Sequence, residues 1–102
     1  MSDLPDSINV GGLRYTVRRS VAPLGDTISL GQCDMTMATM DVMAGLPDDV
    51  ARTTLLHECL EAIKYSHQLD LTHPDLMTLE HALDALLIAN PALLGLYGAR
   101  QC

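Results

Sequence analysis

Two side chains near the middle of the sequence, His57 and Glu61, have the types and the spacing to bind one metal ion. Residues four apart in a helix project from the same face with Cβ atoms about 6 Å apart, so both can reach one cation. Glu58 lies about 100° around the helix from His57, and its carboxylate can reach a water beside that cation without being a ligand. The pattern therefore predicts two metal ligands and a general base on one helix.

The stretch His57-Glu58-Cys59-Leu60-Glu61 differs at one position from the H-E-x-x-H zinc motif, in which two histidines hold Zn²⁺ and the glutamate activates water. Here Glu61 stands in place of the second histidine. A carboxylate oxygen is an accepted zinc ligand, and two histidines with one glutamate form a known catalytic set. A third protein ligand is then required, and the fourth position is left to water.

Four residues are candidates for the third ligand: His67, His73, Glu80 and His81. His67 is ten residues from His57, which corresponds to roughly 15 Å along a helix, so it is too distant. His73 can return beside the first helix if two helices pack as a hairpin. Glu80 can also reach, but one histidine with two carboxylates is a harder and weaker zinc set. We favour His73 and keep Glu80 as the alternative.

Two helices must position these groups. The break at Gly45-Leu46-Pro47, followed by two aspartates, predicts a helix over about 47–66. Pro74 predicts a second helix over about 74–89, capped by Thr72 or His73, with one more turn after it. The expected core face of the first helix comprises Leu56, Cys59, Leu60 and Ile63.

The region of about 8–44 predicts a small antiparallel β-sheet ahead of these helices. Its first strand is expected to bend or bulge at Gly11-Gly12, and a loop follows over 21–27. One or two further short strands should then turn near Gly31 or Met37-Ala38. The fold class expected is α+β, with the sheet followed by two packed helices.

The length of 102 residues fits one domain, 1–102, and the net charge is −7. This acidity predicts no direct nucleic-acid ligand and no membrane contact. Three widely spaced cysteines, Cys33, Cys59 and Cys102, indicate neither a disulfide framework nor a thiolate zinc site. The polar start lacks a signal peptide pattern, so we expect a soluble protein of a reducing cytoplasm.

From residue 31 onward the chain carries, in order, G-Q-C-D-M-T-M-A-T-M-D, L-P-D-D-V-A-R-T-T-L-L-H-E-C-L-E-A-I, L-D-L-T-H-P-D-L-M-T-L-E-H-A-L and N-P. This order resembles the small phage-encoded zincins related to the ImmA/IrrE-type metallopeptidases. In that family a short sheet precedes a helix with T-L-L-H-E-x-x-H-A-I, and a second helix brings the last ligand. The resemblance implies a minimal zincin-like domain.

The resemblance also implies the roles of the site residues. Glu61 replaces the usual histidine, and His73 lies near the place where the family tends to offer a carboxylate. The resemblance therefore implies that the histidine and carboxylate ligands have exchanged positions. The implied ligands are His57, Glu61 and His73, holding Zn²⁺ or another divalent transition metal, and Glu58 is the implied general base on metal-bound water. Nitrogen and oxygen ligands admit zinc, manganese, cobalt or nickel.

The implied function is metal-dependent hydrolysis of a peptide or protein substrate, which would add to an edge strand of the sheet. The implied location is the cytoplasm of a bacterial or phage-infected host cell. One alternative is a non-catalytic acidic phage accessory or interaction protein that keeps the fold and the metal site. Another is an acidic inhibitor that occupies a basic nucleic-acid-binding surface.

Overall fold

The computed structural model describes residues 4–21 and 29–98 and has an α+β fold, which confirms the predicted fold class. Four strands come first in the chain and three helices follow. The strands are β1 Ser7–Val10, β2 Leu13–Ser20, β3 Gly31–Asp34 and β4 Thr39–Met43, and the helices are α1 Asp48–His67, α2 His73–Ala89 and α3 Pro91–Gly98. Residues 22–27 of the loop predicted over 21–27, and Cys102, lie outside the described residues.

The Gly11-Gly12 break is a hairpin turn, whereas the sequence predicted a bend within one strand. Val10 pairs with Leu13 across a two-residue connection, so β1 and β2 are antiparallel neighbours. Both glycines have positive φ, 58° and 81°. Two-residue turns with positive φ at both positions match the twist of the flanking strands, and glycine adopts them without steric cost.

The sheet has the order β1-β2-β4-β3, and the prediction of an entirely antiparallel sheet is wrong. β4 pairs with β3 in an antiparallel hairpin but runs parallel to β2. The reason is that β4 is the most buried strand, with Met40, Asp41 and Val42 all buried, and a strand of this kind occupies the centre of a sheet. Strand patterns in a sequence indicate where strands lie but do not specify their order.

Asp41 is a buried charge in this central strand, and its partner comes from the neighbouring strand. Arg18 lies opposite Asp41 in the β2–β4 register. Its guanidinium donates two hydrogen bonds to the carboxylate, at 2.8 and 3.0 Å. This paired geometry supplies the compensation that a buried carboxylate requires.

Helix α1 packs across the sheet and closes the core, whose buried members are Tyr15, Met40, Val42, Ala51, Leu55 and Ala62. The face that α1 presents to the sheet therefore follows Ala51, Leu55, Glu58 and Ala62, which are all buried. Of the predicted core face, Leu60 is buried and Cys59 packs against the core, but Ile63 is 37% exposed. Alanines allow a helix to approach a sheet closely. The prediction from the sequence relied on the larger leucine side chains and left out Ala51 and Ala62.

The connection between α1 and α2 is short and locally specified. Helix α1 ends at His67, and the next residue, Gln68, adopts a left-handed conformation and donates its N–H to the last turn of the helix. Thr72 caps α2 in a capping box with Asp75, and Pro74 lies in the first turn. The observed helix bounds, 48–67 and 73–89, lie within one residue of the predicted ones.

Within the described ranges, no single helix is both long and apolar enough to cross a bilayer. Helices α2 and α3 reach that length and composition only together, and they are bent by 91° at the break between them.

Candidate metal centre

Side chains from α1 and α2 meet at one place in the cleft between these helices and β3. His57 and Glu61 come from α1 and His73 begins α2; one ligand atom from each lies within 4.8 Å of the others. His57 Nε2 lies 3.4 Å from Glu61 Oε2, and the two imidazole centroids are 5.2 Å apart. The structure thus brings together the three residues that were predicted as metal ligands.

The local sequence accounts for this convergence. The i, i+4 spacing places His57 and Glu61 on one face of α1. The left-handed Gln68 ends α1, and the Thr72 cap begins α2 after a connection of a few residues. The connection over 68–72 can span about 15 Å when extended, which is the distance from the end of α1 back to His57, so α2 can begin beside the middle of α1.

The donor set fits a divalent transition metal. Two imidazoles and one carboxylate are the ligands of a known class of catalytic zinc sites. At zinc bond lengths of about 2.0–2.1 Å, two donors of a tetrahedral site lie about 3.3 Å apart. The separation of 3.4 Å between His57 Nε2 and Glu61 Oε2 matches that value. The imidazole of His73 completes the set from the other helix.

Glu80, the alternative ligand, contacts the other ring nitrogen of His57. Its Oε1 lies 3.0 Å from His57 Nδ1, and Glu80 is 7% exposed. A carboxylate oxygen accepts from an imidazole N–H, so this contact is a hydrogen bond in the tautomer that carries the His57 proton on Nδ1. In that tautomer the Nε2 lone pair of a neutral ring is left free on the side of Glu61 and His73.

Glu58, the predicted general base, lies on the core face of α1 and is 6% exposed. Burial, followed by the negative charges of Glu61, Glu80 and Asp41, raises the pKa of Glu58 from 4.5 to about 7. A general base is most effective when its pKa lies near the working pH. The burial that makes this carboxylate costly as an ion therefore also gives it a pKa suited to proton transfer.

Gly31 of β3 lies against Glu58 and leaves no room for a side chain between β3 and α1 at this point. A Cβ atom at this glycine would lie 2.6 Å from Thr54 Cγ2 and 2.8 Å from Glu58 Oε2. Any larger residue would displace the carboxylate. The start of β3 and the buried face of α1 are therefore in direct contact where the predicted base lies.

A cavity of about 550 Å³ opens onto these groups. His57, Glu58, Glu61, His73 and Glu80 all line it, together with the start of β3. A second cavity, of about 640 Å³, is lined by Met35 just after β3, by the last turns of α1, and by Gln68 and Leu69 of the connection that follows. Glu61 lines both cavities, so the site lies where they adjoin.

The other sequence candidates are not part of this cluster. His67 ends α1 and His81 lies on α2, and both are exposed. The sequence analysis did not predict the contact between His57 Nδ1 and Glu80 Oε1. One signal was available, because His73 and Glu80 are seven residues apart and so lie on nearly the same face of α2.

Neither described cysteine is suited to be a nucleophile or a thiolate ligand. Cys33 and Cys59 are free thiols and partly buried. Burial, with smaller contributions from nearby carboxylates, raises the pKa of Cys33 to about 12 and that of Cys59 to about 11. Both thiols are therefore protonated at neutral pH. The candidate metal ligands and bases in the cleft are imidazole and carboxylate groups.

Comparison with known proteins gave no relative. No family model, no curated protein and no solved structure matches this chain. The resemblance to ImmA/IrrE-type zincins stays a prediction that depends on the motif residues.

Proposed function

We propose that this protein hydrolyses peptide bonds with a divalent transition metal, preferably Zn²⁺, held by His57, Glu61 and His73. The observation that carries the proposal is the convergence of these three donor groups, within 4.8 Å of one another, in a cavity that Glu58 also lines. Exposed acidic clusters are common on proteins. This cluster joins the partly buried His57 and Glu61 to the exposed His73 of a second helix, and the buried Glu58 lies in the same cavity.

The bound ion would supply a Lewis acid that polarises the scissile carbonyl and lowers the pKa of water. Glu58 takes a proton from the attacking water as the carbon–oxygen bond forms. The same carboxyl group then gives that proton to the leaving nitrogen as the carbon–nitrogen bond breaks. One water is consumed for each bond cleaved, and Glu58 returns to its starting state.

A peptide is the substrate class that suits the open edge of β3. Met43 N donates to Leu30 O, so Gly31 and Cys33 fall in the non-hydrogen-bonded pairs of the β3–β4 ladder. Their N–H and C=O groups consequently point toward the free edge, where the carbonyl of Gly31 already accepts a hydrogen bond from Ser29 Oγ at 2.6 Å. An extended peptide can pair with such an edge and gain affinity from main-chain hydrogen bonds.

The two cavities support the same substrate. Gly31, at the first residue of β3, lines one of them, and Met35, just after its last residue, lines the other. A peptide strand beside β3 would therefore have a cavity at each end and Glu61 between them. This arrangement gives room for side chains on both sides of a scissile bond.

We also propose that the protein belongs to the ImmA/IrrE-type family and is located in the cytoplasm. The family is supported by the stretch from Thr54 to Ile63, where the zincin pattern is matched except at Glu61. A reducing compartment is supported by the free thiols of Cys33 and Cys59.

The first test is the metal content of the purified protein. We expect about one Zn²⁺ per chain on titration, and loss of that binding in the double variant His57→Ala, Glu61→Ala. His67→Ala is the matched control, because it removes an exposed imidazole of the same helix outside the cluster. Equal Zn²⁺ binding by the wild type and the double variant would overturn the proposal.

The second test separates catalysis from metal binding. Fluorescence-quenched peptide libraries are incubated with the zinc-loaded wild type and with Glu58→Gln. We expect cleavage by the wild type, and at least a 100-fold lower rate for the variant at equal metal content. Absence of cleavage by the zinc-loaded wild type across the libraries would favour the non-catalytic accessory protein. Equal cleavage rates for the wild type and Glu58→Gln would show that Glu58 is not the general base.

A further inference from the structure

We propose that Glu80 is a positioning residue that fixes the ring of His57 for metal binding, an inference that rests on the metal site of the proposed function. The contact behind it joins Glu80 Oε1 and His57 Nδ1 at 3.0 Å. Metal-binding histidines commonly donate their other ring N–H to a carboxylate, which sets both the tautomer and the ring orientation.

The low exposure of the pair makes the contact strong. The side chains of His57 and Glu80 are 12% and 9% exposed, so water competes little for this hydrogen bond. With Nδ1 held by Glu80, the opposite nitrogen, Nε2, faces Glu61 Oε2 at 3.4 Å. The carboxylate thus selects the nitrogen that is presented to the ion and restricts rotation of the ring.

The position of Glu80 on α2 links this role to that of His73. The two residues are seven apart on one helix, a rise of about 10.5 Å, and both lie beside His57 of α1. One rigid element therefore supplies both the third ligand and the group that orients the first. Rotation or displacement of α2 would disturb both contacts together.

Asp84 provides a matched control on the same helix. It lies one turn beyond Glu80 and accepts two hydrogen bonds from Arg52 of α1, at 2.9 and 3.1 Å. Asp84 therefore also ties α2 to α1 through a carboxylate, but it contacts none of the three ligands. A variant at Asp84 reports the effect of weakening the contact between the helices without changing the orientation of His57.

The first experiment measures Zn²⁺ affinity by competition with a chromophoric chelator. We expect the dissociation constant to rise about 10-fold in Glu80→Gln, which keeps an acceptor but loses the charge, and up to about 100-fold in Glu80→Met, which loses both. Asp84→Asn should stay within about 2-fold of the wild type. Wild-type affinity in Glu80→Met, or an equal loss in Asp84→Asn, would overturn the positioning role.

The second experiment needs no variant. In ¹⁵N spectra of the zinc-loaded wild type, His57 should carry its proton on Nδ1 and the metal on Nε2, and we expect the Nδ1 proton to resonate at low field. A metallated Nδ1 would overturn the inference and leave the proposed function intact. Failure of the wild type to bind Zn²⁺ would overturn both.

Discussion

Replacing Glu58 with glutamine should change the pH dependence of stability of the metal-free protein. Glu58 is 6% exposed, and its burial raises its pKa from 4.5 to about 7. Glutamine has nearly the same shape and no charge at any pH. The substitution therefore removes one buried ionisation and little packing.

The sign and size of the effect follow from linkage. The folded protein holds the Glu58 proton more tightly than the unfolded chain, so the stability that this proton contributes is fully present below pH 4.5 and is lost as the pH rises through about 7. The shift of pKa from 4.5 to about 7 corresponds to about 3 kcal/mol, at about 1.4 kcal/mol per unit. The Glu58→Gln variant does not lose this stability, because glutamine does not ionise.

The assay is urea unfolding in the presence of a chelator between pH 4 and pH 8. We expect the free energy of unfolding of Glu58→Gln, relative to that of the wild type, to increase by about 3 kcal/mol from the lowest to the highest pH. Asp70→Asn removes an exposed carboxylate and serves as a control for net charge. A difference between wild type and Glu58→Gln that stays constant with pH would refute the reasoning.

Three further substitutions test the elements around the site. Gly31→Ala should lower the free energy of unfolding by about 1–3 kcal/mol and slow turnover at unchanged Zn²⁺ content, because its Cβ would meet Thr54 and displace Glu58; wild-type stability and rate would contradict this. Thr72→Ala should cost about 1 kcal/mol in urea unfolding and speed amide exchange in the first turn of α2, since it removes the cap. Met40→Ala should lower the unfolding free energy by about 2–5 kcal/mol, because this side chain is fully buried; a smaller loss would show that the core collapses around the gap.

The helices were predictable because their signals are local. A proline and acidic residues mark the start of α1, and the capping box at Thr72 marks the start of α2. Sheet order was not predictable in this way, because strand pairing joins distant residues. The parallel pairing of β2 with β4 depends on the burial of Met40 and Val42 at the centre of the sheet, and burial is a property of the whole fold.

The same distinction applies to the site. His57 and Glu61 are linked by helical spacing, and a helical hairpin was enough to bring His73 toward them. The role of Glu80 required the angle at which α2 packs on α1, because a one-turn change in helix packing would give His57 a different neighbour. Similarly, the burial of Glu58 follows from a core face that includes Ala51 and Ala62, which the predicted core face left out.

The three proposed ligands are divided between two helices, so a bound metal would be coupled to the lifetime of the protein. An ion bound by α1 and by the first residue of α2 would hold the two helices together. At a free concentration 1,000 times its dissociation constant, the ion would add about 4 kcal/mol to the free energy of unfolding. Without the ion, the connection that ends at Thr72 would open more often to proteases. Metal starvation would then shorten the half-life of the chain and deplete it from the cell.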